Sequence, residues 1–157
     1  MVTAGGIITP DVYTTHCRWD GPIDHTLVVD CSDPRLPEAR TEAFVNYWKI
    51  SRSDQMIIPG GPAVFTFSNP TCFVDQERAR LLHGAHKFKR IIGIAHYGCL
   101  FYKKLYPSGS DDERYKHQLT DLQDFRSQMK RLAEGATVEL YYVGPNKDGF
   151  TEYKRVD

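Results

Sequence analysis

The sequence predicts an α/β fold: a mostly parallel central sheet flanked by helices, with an antiparallel edge strand at the carboxyl-terminal end. Three observations carry this. Short apolar, β-branched runs, Leu27-Val28-Val29 and Ile91-Ile92-Gly93-Ile94-Ala95, are bounded by polar residues, the pattern of strands buried in a parallel sheet. Segments with helical apolar spacing alternate with such runs. Near the end, Asn146-Lys147-Asp148-Gly149 joins two strand-like stretches by a turn, which makes that pair antiparallel.

Taken in order, residues 1–24 have no clear period and are rich in Gly, Pro and Thr, so they read as an amino-terminal arm. Residues 25–157 form a single domain, the size at which one core suffices. Thr26 to Asp30 is the first strand. Glu38 to Lys49 has Ala39, Ala43, Phe44, Tyr47 and Trp48 at helical spacings, with Pro37 placed for a helix start. Gln55 to Ile58 is a short strand, stopped by the breaker cluster Pro59-Gly60-Gly61-Pro62. Val74 to Lys87 is a second helix and Arg90 to Ala95 the next strand. A third helix begins at the capping box Ser110–Glu113, with Asp111 and Asp112 at the positive end of its dipole. Tyr115, Leu119, Leu122, Met129 and Leu132 give it one apolar stripe, and Gly135 ends it. Thr137 to Val143 alternates as a strand, and Phe150 to Arg155 is the last.

Composition narrows the function. Lysine plus arginine and aspartate plus glutamate each total 20, and this neutral balance argues against a nucleic-acid partner. The basic run His86-Lys87-Phe88-Lys89-Arg90 closes a helix, where cations favour the negative end of the dipole. No apolar run has membrane-spanning length and no leader pattern opens the chain, so a soluble cytoplasmic protein is expected. Four cysteines in a chain this size suggest metal binding or catalysis rather than a disulfide framework.

Cys31 falls one residue past the first strand, and His96 just past the strand that ends at Ala95. In open α/β sheets the ligand crevice lies outside the carboxyl ends of the strands, where the winding order reverses. Two thiols, Cys31 and Cys99, with the imidazole of His96 make a soft metal site, and three protein ligands leave the fourth tetrahedral position of Zn²⁺ open. Cys17, beside His16, and Cys72 lack such company and read as structural. His25, His83, His86 and His117 are the histidines that could move protons, and nothing in the sequence selects among them.

The stretches Cys31-Ser32-Asp33-Pro34-Arg35 and His96-Tyr97-Gly98-Cys99, each after a strand, resemble the β-class carbonic anhydrases. The resemblance runs from about His25 to the closing Tyr-Tyr-Val-Gly-Pro-Asn-Lys-Asp-Gly-Phe hairpin. It implies Cys31, His96 and Cys99 as ligands of one zinc per chain, with Asp33 and Arg35 as a catalytic acid–arginine dyad. It also implies reversible hydration of CO₂ to bicarbonate and association into a homodimer or larger homo-oligomer. A zinc held by two thiolates acidifies its water less than an all-imidazole site, so a carboxylate held by arginine has a compensating role. The resemblance further implies a switch in which the Asp swings onto the zinc and the Arg pulls it away, favouring activity at alkaline pH. Phe65, Phe67 and Tyr97 are candidate pocket walls.

Three departures mark this chain within the resemblance. Ile57-Ile58-Pro59-Gly60-Gly61-Pro62 stands where the family has an Arg-Asn-Ala-Gly-Asn-like segment. Leu100 stands where Gly is common, and no exchanged helical arm is evident in residues 1–24. Bulk at Leu100 beside the metal and the rebuilt loop would favour a CO₂ isostere, carbonyl sulfide or carbon disulfide, or leave zinc without turnover. The Gly-Gly step could alternatively line a bicarbonate with backbone N–H groups. Other classes fare worse. A cysteine phosphatase needs a longer loop between Cys31 and Arg35, and a dinucleotide-binding module needs a glycine fingerprint that is missing. A redox pair of Cys31 and Cys99 would need no metal.

Overall fold

The computed structural model describes Thr15, residues 20–67 and residues 70–156; the expected arm lies largely outside them, as do His16 and Cys17. Five strands form one sheet: β1 (Thr26–Asp30), β2 (Asp54–Ile57), β3 (Arg90–His96), β4 (Thr137–Pro145) and β5 (Thr151–Arg155). Their order is β2-β1-β3-β4-β5, all parallel except the antiparallel β4–β5 pair. The mostly parallel sheet with an antiparallel edge is the fold class the sequence predicts. From β1 the chain steps to β2 on one side, then returns past β1 to β3 on the other. The winding therefore reverses between β1 and β3, and the crevice belongs at their carboxyl ends.

Among the described residues four α-helices flank the sheet: α1 (Pro37–Ala43), α2 (Pro70–His86), α3 (Leu100–Leu105) and α4 (Asp111–Leu132). Successive side chains of β1 point to opposite faces. Leu27 and Val29 join Ile91, Leu122, Phe125, Met129 and Leu140 in one core layer. Val28 joins Ile92, Ile94, Trp48, Tyr102 and Tyr141 in the other, which also holds Cys31 and Cys99. Gly93, mid-way along β3, leaves the space filled by the Phe125 ring of α4.

The expected helix over Glu38–Lys49 divides. Regular α-helix ends at Ala43, and a π-helical turn, Phe44–Trp48, follows before Lys49 stops it in the left-handed region (φ 55°). The wider turn buries Trp48 and leaves Tyr47 exposed, and the charged Arg40 lies inside. α2 begins four residues earlier than expected, at Pro70. Residues 138–141 of β4 are all buried, so the expected alternation fails. Arg90 makes the burial of Glu139 possible by a bidentate pair (2.6 and 3.0 Å), and the Tyr141 hydroxyl donates to the same carboxylate (2.9 Å). The capping box of α4 is present in both directions: Ser110 Oγ accepts from the Glu113 N–H, and the Glu113 carboxylate accepts from the Ser110 N–H. Its buried stripe is Gln118, Leu122, Phe125 and Met129; of the expected apolar residues Leu122 and Met129 belong to it, and Leu119 and Leu132 pack half-buried at its sides.

Candidate metal centre

Cys31 follows the end of β1, His96 is the last residue of β3, and Cys99 caps the start of α3. Parallel pairing of β1 with β3 brings together residues far apart in sequence. One donor atom from each of Cys31, His96 and Cys99 lies within 4.8 Å of the others, and all three residues are buried. Among the described residues no other group of three His, Cys, Asp or Glu side chains is so arranged. Cys72, by contrast, is a buried member of the core layer under α2 and α4.

Each donor is oriented by its surroundings. The His96 Nδ1–H donates to the Tyr97 carbonyl (3.0 Å), which leaves Nε2 as the lone-pair nitrogen. That Nε2 is buried and has no hydrogen-bond partner. The two sulfurs stand 3.9 Å apart. The hydrogen bond between them, which either thiol could donate, and then burial push the Cys31 thiol up to about 12. The same contact lowers Cys99 to about 7 against the opposing effect of burial, helped by the N–H groups of Tyr102 and Phe101 in the first turn of α3. Burial disfavours the imidazolium of His96, yet the Cys31 sulfur, the Asp33 charge and the Tyr97 carbonyl together raise it.

The donor set fits a zinc ion. With Zn–S bonds of about 2.3 Å, tetrahedral geometry sets two sulfurs about 3.8 Å apart, close to the 3.9 Å here. A disulfide would require about 2.05 Å, and both cysteines are free thiols. The buried Nε2, without a hydrogen-bond partner, is the third candidate donor.

The Asp33–Arg35 pair stands at the rim. Arg35 Nε and Nη2 donate to the two Asp33 carboxylate oxygens at 2.8 Å each, and the Arg35 N–H donates at 3.0 Å. The Arg35 guanidinium holds the Asp33 carboxyl well below the usual carboxylate range. Arg35 Nη2 also reaches the carbonyls of Tyr97 and Gly98 (3.4 Å each), tying the dyad to the turn between His96 and Cys99.

Three further groups support the donors without being candidate donors themselves, and of these only the Pro59–Pro62 loop stands out in the sequence. Gly60 N–H donates to Cys31 Sγ (3.4 Å), so this part of the Pro59–Pro62 loop faces the sulfur rather than an anion. Buried Gln118 Nε2 donates to the His96 carbonyl (3.0 Å). Buried Asp30 and Arg40 bracket Cys31: Asp30 Oδ1 accepts the Cys31 N–H (2.6 Å), Arg40 Nε donates to Asp30 Oδ2 (2.7 Å), and Arg40 Nη2 donates to the Cys31 carbonyl (3.0 Å).

Some expectations are corrected. Phe65 is a core residue, edge-on to Phe125 at 5.3 Å, and not a wall of the site. Phe67 packs on Phe101 of α3. Tyr97 is half-exposed, donates to Asp111 Oδ2 (2.9 Å) and does border the rim. Together with Arg35, Leu36, His96, Val143 and Pro145 it lines a cleft of about 250 Å³. Leu100 is 74% exposed on the first turn of α3, so its bulk points to solvent instead of filling the site. The four candidate proton carriers are engaged elsewhere. His25 donates to the His86 carbonyl, His86 pairs with Asp54, His83 accepts the Phe88 N–H, and His117 stacks on Tyr106.

Comparison with solved structures gives the same fold. The chain is similar to the carbonic anhydrase of Streptococcus mutans at 12% identity, with a TM-score of 0.57, covering 92% of this chain and 88% of that one. It is similar to β-carbonic anhydrase isoform I of Trichomonas vaginalis at 12% identity and a TM-score of 0.52, over 90% and 87% of the two chains. No family model and no curated protein sequence matches. The fold is thus that of the β-carbonic anhydrases, and the Cys31–His96–Cys99 group is a candidate metal site within it. No helix among the described residues is long and apolar enough to cross a membrane.

Proposed function

We propose that Cys31, His96 and Cys99 hold one Zn²⁺ per chain, and that the protein catalyses reversible hydration of CO₂ to bicarbonate and a proton. The observation that carries the reading is the buried, unpartnered His96 Nε2 facing two sulfurs at tetrahedral spacing. A zinc bound there would supply Lewis acidity and lower the pKa of a water, though less than an all-imidazole site does.

The chain's own groups do the rest. Held ionised by Arg35, Asp33 is an acceptor only, and Arg35 occupies three of its roughly four lone-pair sites through Nε, Nη2 and its backbone N–H. The remaining site, on Oδ2, orients water or bicarbonate at the rim. Arg35, anchored on the Tyr97 and Gly98 carbonyls, keeps this carboxylate at a fixed height over the His96–Cys99 turn. Paired in this way, Asp33 stands outside the donor group, as an accessible fourth position requires. The cleft beside Arg35, Tyr97 and Val143, which His96 also lines, has room for a three-atom substrate.

We further propose that the chain works as a homodimer or larger assembly in the cytoplasm, where free thiols persist. A monomeric hydrodynamic mass at micromolar concentration would refute the assembly.

Stopped-flow CO₂ hydration by zinc-verified protein, from neutral to alkaline pH, tests the activity. A rate above buffer that rises with pH is expected. No acceleration by a folded, zinc-loaded sample would refute it, and release of sulfide from carbonyl sulfide would then identify an isostere as the substrate.

A further inference from the structure

The first side chain before the metal site is a carboxylate with no solvent exposure. Asp30 ends β1, the strand between β2 and β3, at 0% relative exposure, where the preceding residues are Leu27, Val28 and Val29. An aliphatic side chain would suit such burial. The charged partner of Asp30 is Arg40, on α1, itself buried, at 2.7 Å. A buried ion pair is a poor source of stability, since desolvation of both charges offsets their attraction and apolar replacements are often neutral or better. Its presence calls for another explanation, which lies in what the pair holds.

Cys31 stands just beyond the strand ladder, and both of its backbone polar groups go to this one pair. Its N–H goes to Asp30 Oδ1 at 2.6 Å and its carbonyl to Arg40 Nη2 at 3.0 Å, while Arg40 Nε closes the circuit on Asp30 Oδ2 at 2.7 Å. Fixing the peptide planes on either side of Cα fixes the Cα–Cβ direction, and so where Sγ can lie. The forked guanidinium is needed because one group must reach two acceptors at once. We propose that the Asp30–Arg40 pair is a positioning device for Cys31, setting the sulfur at ligand distance from Cys99 and His96 and thereby the affinity and geometry of the metal. This rests on the metal reading above and adds two residues to it that touch neither metal nor substrate.

The test uses the full chain and three variants. Asp30→Asn keeps the shape and one acceptor. Arg40→Lys keeps the buried positive charge, but its single ammonium cannot span both acceptors. Ser110→Ala, at the α4 cap, controls for lost stability alone. Zn²⁺ affinity is measured by chelator competition, and Co²⁺ substitution reports geometry through thiolate charge-transfer and d–d bands. Metal affinity should fall roughly 10–100-fold in Asp30→Asn and Arg40→Lys, the range for groups that orient metal ligands. Their cobalt bands should shift, and Ser110→Ala should change neither readout. Lower melting temperatures with unchanged zinc affinity and cobalt spectra would overturn the proposal and make the pair structural. Should Asp30→Asn fail to fold, Arg40→Lys decides. Wild-type protein that gives no thiolate–cobalt bands would instead overturn the metal reading itself, and this inference with it.

Discussion

Gly61 is the position where one methyl group should do most damage near the metal centre. Its φ is +55°, and a Cβ built there would lie 3.1 Å from the Asp30 carbonyl carbon, the Cys31 nitrogen and the Ile94 carbonyl oxygen. All three are backbone atoms of the β1 and β3 tips and cannot rotate aside. Gly135, after α4, offers the matched control: its φ is +82° and nothing lies within 4 Å of a built Cβ. Left-handed backbone costs an L-residue about 1–2 kcal/mol, and Gly135→Ala should show only that. Gly61→Ala adds overpacking of about 1–3 kcal/mol, for a total of about 2–5 kcal/mol. For a chain of 157 residues, each kcal/mol shifts the melting temperature by about 2–4 °C. Thermal and urea unfolding of both variants would measure the difference. Gly61→Ala should also weaken zinc binding, because the strain bears on the Asp30–Cys31 peptide. Equal destabilisation at the two sites, with zinc affinity untouched at both, would refute the reasoning.

Other expectations follow from the same geometry. Cys99→Ser should abolish tight Zn²⁺ binding in a chelator competition, and retention would mean that the ligand set is wrong. Arg35→Ala should return the Asp33 carboxyl toward about 3.9, visible by carboxyl ¹³C titration of the metal-free chain. Because Arg35 lowers the folded-state value, the pair stabilises above that ordinary pKa and the contribution vanishes as pH falls through the folded one. With Arg35 59% exposed, the wild-type advantage in unfolding at neutral pH should be below about 1 kcal/mol. Ser110→Ala should lower stability by about 1 kcal/mol in urea unfolding, through loss of the α4 cap.

Much of this was legible from residue patterns because the patterns were local. β-branched runs gave β1 and β3, and Ser110 with Glu113 gave the start of α4, each needing only neighbours in sequence. The positions of Cys31 and His96 at strand exits are enough to bring the donors to one crevice. What stayed hidden depended on distant partners. Arg40 looks like a solvent-facing helix residue until Asp30 is found ten positions back in the same circuit. Gln118 heads a regular buried stripe with Leu122, Phe125 and Met129, but its polarity shifts a periodicity reading onto Tyr115 and Leu119. α3 has six residues and no side-chain cap, so too little repeats for a period to show. The π-helical turn at Phe44–Trp48 departs from the regular spacing that such reading assumes.

The two candidate sulfur ligands are 68 positions apart along the chain. An ion gripping both would therefore act as a staple, closing a long loop in the denatured chain as a disulfide does. For a loop of that length the chain-entropy relation gives about 4 kcal/mol at 25 °C, a large share of the roughly 5–15 kcal/mol that holds a typical domain together. Zinc supply would then govern how much of this protein persists folded as well as how much of it can react.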